Sequence, residues 1–224
     1  MKKKQTVLAF LSIFAGIWIS GCGQNATGEW KANENSIYVN REQNVQSALV
    51  YTSESDNDLY DQEELAAFVQ EAIEGELTSL AGNGEIAVLT EELQQKPPVT
   101  LTSCTLEGRT GMLIFEYASP EYYGTFAELA GDNTNTVRNL TVLSAADESA
   151  ARVLPDADLK KANGKTVKPE EVLKHEDYTI VVFEGAGTIC TEGKIMCVSA
   201  DSDVVLKDDF TAVTGEGRHC IVFK

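Results

Sequence analysis

Six side chains carry most of the chemistry this sequence could perform: Cys104, Cys190, Cys197, Cys220, His175 and His219. Thiolate and imidazole ligands at the right spacing hold zinc tetrahedrally, and Cys190, Cys197, His219 and Cys220 are the set that would do so. No C-x₂₋₄-C pair is present, however. If residues 219–223 form a strand, alternation also sends His219 and Cys220 to opposite faces. The same alternation argues against Cys220 as a nucleophile with His219 as its base, since that pair must come within hydrogen-bond reach. His175 lies in the polar stretch Lys174–Asp177 and reads as a surface residue. Four cysteines allow three disulfide pairings. Cys190 and Cys197 would face each other across a turn at Gly193-Lys194, whereas a turn at Glu192-Gly193 puts them out of register. Buried free thiols are the expectation, because a small apolar side chain fits a strand interior.

Other patterns fall short of a site. Gly185-Ala186-Gly187 follows a predicted strand, as a dinucleotide loop does, but it lacks the third glycine and continues as strand rather than helix. It reads as a glycine turn. No Gly-x-Ser-x-Gly elbow occurs. Paired acids for glycoside hydrolysis have ample supply among 35 carboxylates, but their separation is spatial and leaves no motif. Asp56-Asn57-Asp58, Asp201-Ser202-Asp203 and Asp208-Asp209 offer oxygen ligands for calcium. None has the glycine and glutamate of an EF-hand, so they read as solvated turns. No cofactor, no metal and no catalytic residue is expected.

The fifth cysteine has a different setting. Lys2, Lys3 and Lys4 open the chain, Thr6 to Ile19 is almost wholly apolar, and Ile19-Ser20-Gly21-Cys22 closes the run. A basic start, an apolar middle and a small-residue end make a secretory signal. The stretch is shorter than the roughly 20 residues a membrane span needs. Its end resembles the lipobox of bacterial lipoproteins, in which the cysteine receives a diacylglycerol through sulfur and becomes the first residue. That resemblance implies a signal peptide over 1–21 and lipid attachment at Cys22 through two palmitate-class chains. It places the protein at the cell membrane, on the extracytoplasmic face. Two chains give lasting attachment where one is marginal, at roughly 0.8 kcal/mol per buried methylene. Residues 22–35 are polar, glycine-bearing and aperiodic, and are expected to form a flexible tether.

Removing residues 1–21 from 224 leaves 203, enough for one full core. The leader takes three of the 18 basic residues and none of the 35 acids, so 15 face 35 and the formal charge nears −20. A balance this acidic excludes nucleic acid as an expected partner, because phosphate contacts need a basic surface. The acids are scattered in ones, twos and threes, as on a solvated exterior.

The elements that would position these residues are strands and a few helices. Ser36–Val39 and Val45–Thr52 read as a hairpin. Asp61 can cap a helix, with Glu64 three residues on and Tyr60 able to staple onto Leu65. Leu65, Phe68, Val69, Ala72, Ile73, Leu77 and Leu80 form its apolar stripe, which Gly75 weakens by about 1 kcal/mol relative to alanine. A second hairpin, Val99–Leu106 with Met112–Tyr117, precedes a helix begun by Ser119-Pro120-Glu121 and ending near Ala130. Beyond it the chain reads strand-rich: Val137–Leu143, a short helix from Ser144 to Leu154, a helical turn at Pro169–Lys174, then strands at 178–183, 188–191, 195–199, 204–207, 210–214 and 219–223. Short turns demand antiparallel pairing. The expected class is therefore α+β, with antiparallel hairpins alternating with two helices in the first half and a strand-rich second half. Residues 36–224 read as one extracytoplasmic domain or two packed lobes, about 36–131 and 132–224.

Taken together, Ile19-Ser20-Gly21-Cys22, the strand Asn35-Ser36-Ile37-Tyr38-Val39-Asn40, the helix start Asp58-Leu59-Tyr60-Asp61 and the hairpin Gly193-Lys194-Ile195 resemble surface lipoproteins of clostridial-type Gram-positive bacteria, a loose group with no assigned activity. The resemblance implies a location without a mechanism. The expectation is a non-catalytic binding or scaffolding module, attached to the membrane through Cys22, that meets a protein or polysaccharide at the cell surface. A hydrolase of envelope or extracellular polymers, working through acidic residues, is the alternative.

Overall fold

Apolar and polar residues alternate through most of this chain, and a period of two puts every second side chain on one face of a strand. The computed structural model describes residues 23–24, 30–54, 61–83, 97–130, 132, 134–200 and 203–224. In chain order the elements are β1 (Gly23–Gln24), β2 (Trp30–Lys31), β3 (Ser36–Val39), β4 (Val45–Thr52), α1 (Gln62–Asn83), β5 (Val99–Glu107), β6 (Thr110–Tyr117), α2 (Glu121–Ala130) and β7 (Arg138–Ser144). They continue as α3 (Ala150–Val153), β8 (Leu159–Lys160), β9 (Thr166–Val167), α4 (Pro169–Val172), β10 (Thr179–Glu184), β11 (Gly187–Thr191), β12 (Ile195–Ser199), β13 (Val204–Leu206), β14 (Thr211–Thr214) and β15 (Arg218–Phe223). Helix and strand are both present and strand dominates, so the fold is of the mixed α+β kind.

Two large sheets face each other. One runs β13-β14-β11-β3-β4-β6-β5 and the other β7-β10-β15-β12-β8-β9. Within both, each pairing is antiparallel except one: β3 lies parallel to β11, with Ile37, Tyr38 and Val39 against Ile189, Cys190 and Thr191. The seven-stranded sheet thus draws strands from both sides of residue 131.

The inner faces supply one shared core. Ile37, Val39, Leu49, Phe115 and Ile189 come from the seven-stranded sheet; Val142, Val181, Phe183, Ile221 and Phe223 come from the six-stranded one. Where the second sheet ends, helices take over its layer. In α2, Tyr123, Phe126 and Ala127 join the core; in α1, Ile73 and Leu77 do so, with Leu65 and Val69 packed beside them. Asp61 caps α1 as its side chain suggests, its Oδ1 accepting from the amides of Glu63 at 2.8 Å and Glu64 at 3.2 Å. Tyr60 and residues 84–96 lie outside the described residues.

The six-stranded sheet is covered on its outer face as well. Ile180, Val182, Cys220 and Val222 pack there beneath Ala150, Leu154 and Val172 of the α3 and α4 region. This explains the unbroken apolar run in β10, whose alternate residues meet two different cores. Each such side chain contributes about 1.5–3 kcal/mol by leaving water.

Two expectations change here. The helix expected within 144–154 shrinks to the single turn of α3. Asp147 Oδ1 accepts from both the amide and the hydroxyl of Ser149 at 2.7 Å, a local turn that competes with helix. The tether expected through Asn35 also stops short of it. Trp30 is 7% exposed and stacks on Tyr38 with ring centroids 5.1 Å apart, and Ala32 is buried beside it. Asn35 then donates to Asp132 at 3.0 Å and accepts from the Val50 amide at 2.7 Å. An indole has too much apolar surface to stay in water beside an unfilled sheet face.

Two glycines give opposite expectations. A Cβ at Gly75, on the exposed side of α1, meets nothing within 4 Å, whereas one at Gly185, with φ +103°, would lie 2.2 Å from the Thr136 carbonyl oxygen. Gly75→Ala is expected to stabilise the protein by about 0.5–1 kcal/mol and Gly185→Ala to destabilise it by more than about 1 kcal/mol. Urea unfolding reads both, and a Gly185→Ala midpoint at the wild-type value would contradict the packing described.

Candidate functional site

The thiols and imidazoles are distributed over three layers. His219 is 1% exposed and tilts against Phe183 on the inner side, with Nε2 2.7 Å from the Gly215 carbonyl oxygen. Cys220, next in sequence, sits in the outer cluster of the six-stranded sheet, as strand alternation requires. Cys190 lies on the outer face of the seven-stranded sheet with Trp30, Tyr38 and Ala48. The residues weighed as a zinc set are therefore not brought together, and among the described residues no three potential ligands cluster.

Cys104, Cys197 and Cys220 are free thiols, whereas Cys190 is disulfide-bonded. A Cys190–Cys197 bridge is thus absent, and the expectation of a free thiol at 190 is overturned. The two positions cannot meet, because β11 and β12 belong to different sheets.

Cys197 does line a cavity of about 40 Å³, together with Lys161, Glu171, His175, Tyr178 and Met196. α4 and the turn after it form one wall and β12 the floor. His175 is exposed, as expected, and its ring lies flat on Tyr178 at 4.5 Å. Sequence spacing gave no sign that Cys197 and His175 share a pocket, since 22 residues and several strand turns separate them. The space admits about two or three waters. Burial pushes the Cys197 thiol up to about 12, against the pull of Lys161, and raises Cys220 as well, aided by Cys197. Thiols held protonated in this way are poor nucleophiles.

A second polar group occupies the far end of the sandwich, in the connection between α2 and β7. Asp132 Oδ1 accepts from Asn35, from the Thr134 amide at 2.9 Å and hydroxyl at 2.7 Å, and from the Asn135 amide at 3.2 Å; Asn135 Nδ2 donates to Oδ2 at 2.6 Å. Asn135 Oδ1 in turn accepts from the Thr188 amide at 2.9 Å, and Thr136 exchanges bonds with Ala186 at 2.7 and 2.9 Å. The Gly185-Ala186-Gly187 turn is explained by this contact: a side chain at Gly187 would strike Asn135 and Val137. Nearby, Tyr117 shares a 2.8 Å hydrogen bond with Ser47, while the buried Tyr123 hydroxyl has no partner. Burial first, and the charge of Asp132 second, hold the Tyr123 phenol protonated. This network ties Asn35, the connection between α2 and β7 and the turn before β11 to one another.

Of the acids weighed for calcium, 56–58 and 201–202 lie outside the described residues. Asp208 accepts from the Phe210 amide at 2.7 Å and closes its own turn, and Asp209 pairs at 2.6 Å with Lys194 of the connection between β11 and β12. Cys22 and the leader are likewise outside them. Among the described residues no helix is long and apolar enough to cross a membrane. Comparison with protein-family models, with curated proteins and with solved structures finds no match to this chain.

The buried thiols give the fold a pH dependence. Cys197 ionises near 9.0 when unshifted and near 12 when folded, so the fold prefers its protonated form. That contribution is complete below about pH 9 and is lost as pH rises toward 12. Urea midpoints measured across this range are expected to fall, and to fall less steeply in Cys197→Ala. Equal slopes would show that the thiol does not contribute.

Proposed function

We propose that this protein is a lipid-anchored module of the extracytoplasmic face of the cell membrane that binds or scaffolds a surface component and catalyses no reaction. The observation that carries the reading is Ile19-Ser20-Gly21-Cys22 at the end of an apolar leader with three lysines before it. Diacylglyceryl transfer to the Cys22 sulfur, followed by cleavage before it, attaches the folded domain through two acyl chains. The first half, read as two hairpins alternating with two helices, is the architectural part of the same proposal.

The chemistry of the Cys197 cavity supports a binding role. The thiols that line or adjoin the Cys197 cavity are held protonated, and the cavity carries a single carboxylate, Glu171. A hydrolase of polymers would need two facing carboxylates in a cleft that admits a chain.

Intact mass of the native protein tests the anchor. The expected species begins at Cys22 and carries a diacylglyceryl adduct, and Cys22→Ser is expected to leave the membrane fraction or keep its leader. Native protein with no acyl mass at Cys22 would overturn the proposal.

A further inference from the structure

Among the described residues, β13 is the sheet edge without a bulge, proline or flanking lysine pair to discourage further pairing. The two large sheets end on β13 and β5, and on β7 and β9. A bulge twists an edge away from a new neighbour, and charge or proline blunts it. β5 shifts register between Leu101 and Ser103, and β7 meets a shift between Val182 and Glu184, with Asn139 at φ +53°. β9 has two residues, set between Lys165 and Lys168-Pro169. β13 instead runs in unbroken register with β14, and it presents Val205, which is 64% exposed. No other large apolar side chain among the described residues is as open to solvent.

The free backbone groups of β13 follow from those already used. Gly215 donates to the Asp203 carbonyl oxygen and Lys207 to that of Thr211, both at 2.9 Å, so Asp203 and Lys207 turn their groups toward β14. Alternation then turns the N–H and C=O of Val204 and Leu206 to the open edge. Asp203, Val205 and Lys207 are exposed on one face, while Val204 is buried and Leu206 half-buried on the other. This segment is complementary to its own reverse. Antiparallel pairing centred on Val205 sets Val204 against Leu206 of a second copy, where their outward groups exchange two hydrogen bonds. Val205 then meets its own counterpart, and Asp203 meets Lys207, an opposite-charge pair at each end. Lys207 already bonds Glu34 at 2.6 Å, but an ammonium has three donors.

We propose that the occupant of this edge is a second copy of this chain, joined across a two-fold axis at Val205 so that two seven-stranded sheets become one. An isologous contact of this kind uses each β13 once and stops at the dimer. The occupant is a copy rather than a foreign strand because residues 203–207 alone satisfy backbone register, apolar contact and charge together. The inference goes beyond the binding role proposed above and is independent of Cys22.

The test is oxidative cross-linking of the full chain in detergent with oxidised glutathione, in a Cys104→Ala background. In the non-hydrogen-bonded pair at 205 the Cα atoms lie about 4.5 Å apart, within the span of a disulfide. Val205→Cys is expected to form a covalent dimer roughly ten-fold faster than Thr100→Cys on the β5 edge, where chance collision lacks that geometry. Asp203→Cys and Lys207→Cys proteins are expected to link to each other when mixed but not to themselves, which fixes the register. Val205→Lys, a change at an exposed position, is expected to sediment as a monomer where the unsubstituted chain sediments as a dimer. Equal rates at 205 and 100, self-linking at 203, or a monomeric unsubstituted chain would each overturn the inference.

Discussion

Three residues of β3, Ile37, Tyr38 and Val39, lie in parallel against Ile189, Cys190 and Thr191 of β11, about 150 positions later in the chain. This single parallel pairing joins β4, β6 and β5 to β14 and β13, and without it there is no seven-stranded sheet for the other layer to cover. Parallel strands cannot be closed by a tight turn, so the pairing must be held by burial on both sides. It is: Ile37, Val39 and Ile189 enter the inner core, and Tyr38 and Cys190 are capped by Trp30. Closing so long a loop costs entropy before any contact rewards it, and burial on both faces offsets that cost.

The consequence reaches the segment before β3. Because Tyr38 needs a cover, Trp30 is drawn down onto the sheet, and β1 pairs with β2. Residues 30–35, which read as the end of a spacer, are thereby part of the folded body.

Much of the local structure was legible. Asp61 announces α1, alternation announces β4, β5 and β6, and the unbroken run 178–183 announces a strand with two covered faces, all through short-range rules of capping and periodicity. Where local rules compete, reading the sequence failed: residues 144–154 have helical composition, but Asp147 and Ser149 close a turn first. The Cys197 cavity and the Asp132 network were invisible, since each gathers residues from distant elements. The string Asp132-Asn133-Thr134-Asn135-Thr136 was a signal of turn chemistry that could have been weighed, as polar side chains in such density usually bond their own backbone.

What the sequence by itself determined is most of the longer strands, the starts of α1 and α2 and the acid-rich composition, because these depend on the residues themselves and on neighbours a few positions away. Only the tertiary structure decided which strands meet, that His219 and Cys197 belong to different layers, that Cys190 is oxidised while Cys197 is free, and that Trp30 lies on the sheet. Those outcomes depend on which buried surfaces fit each other, a property of faces assembled across the whole chain rather than of any stretch of it.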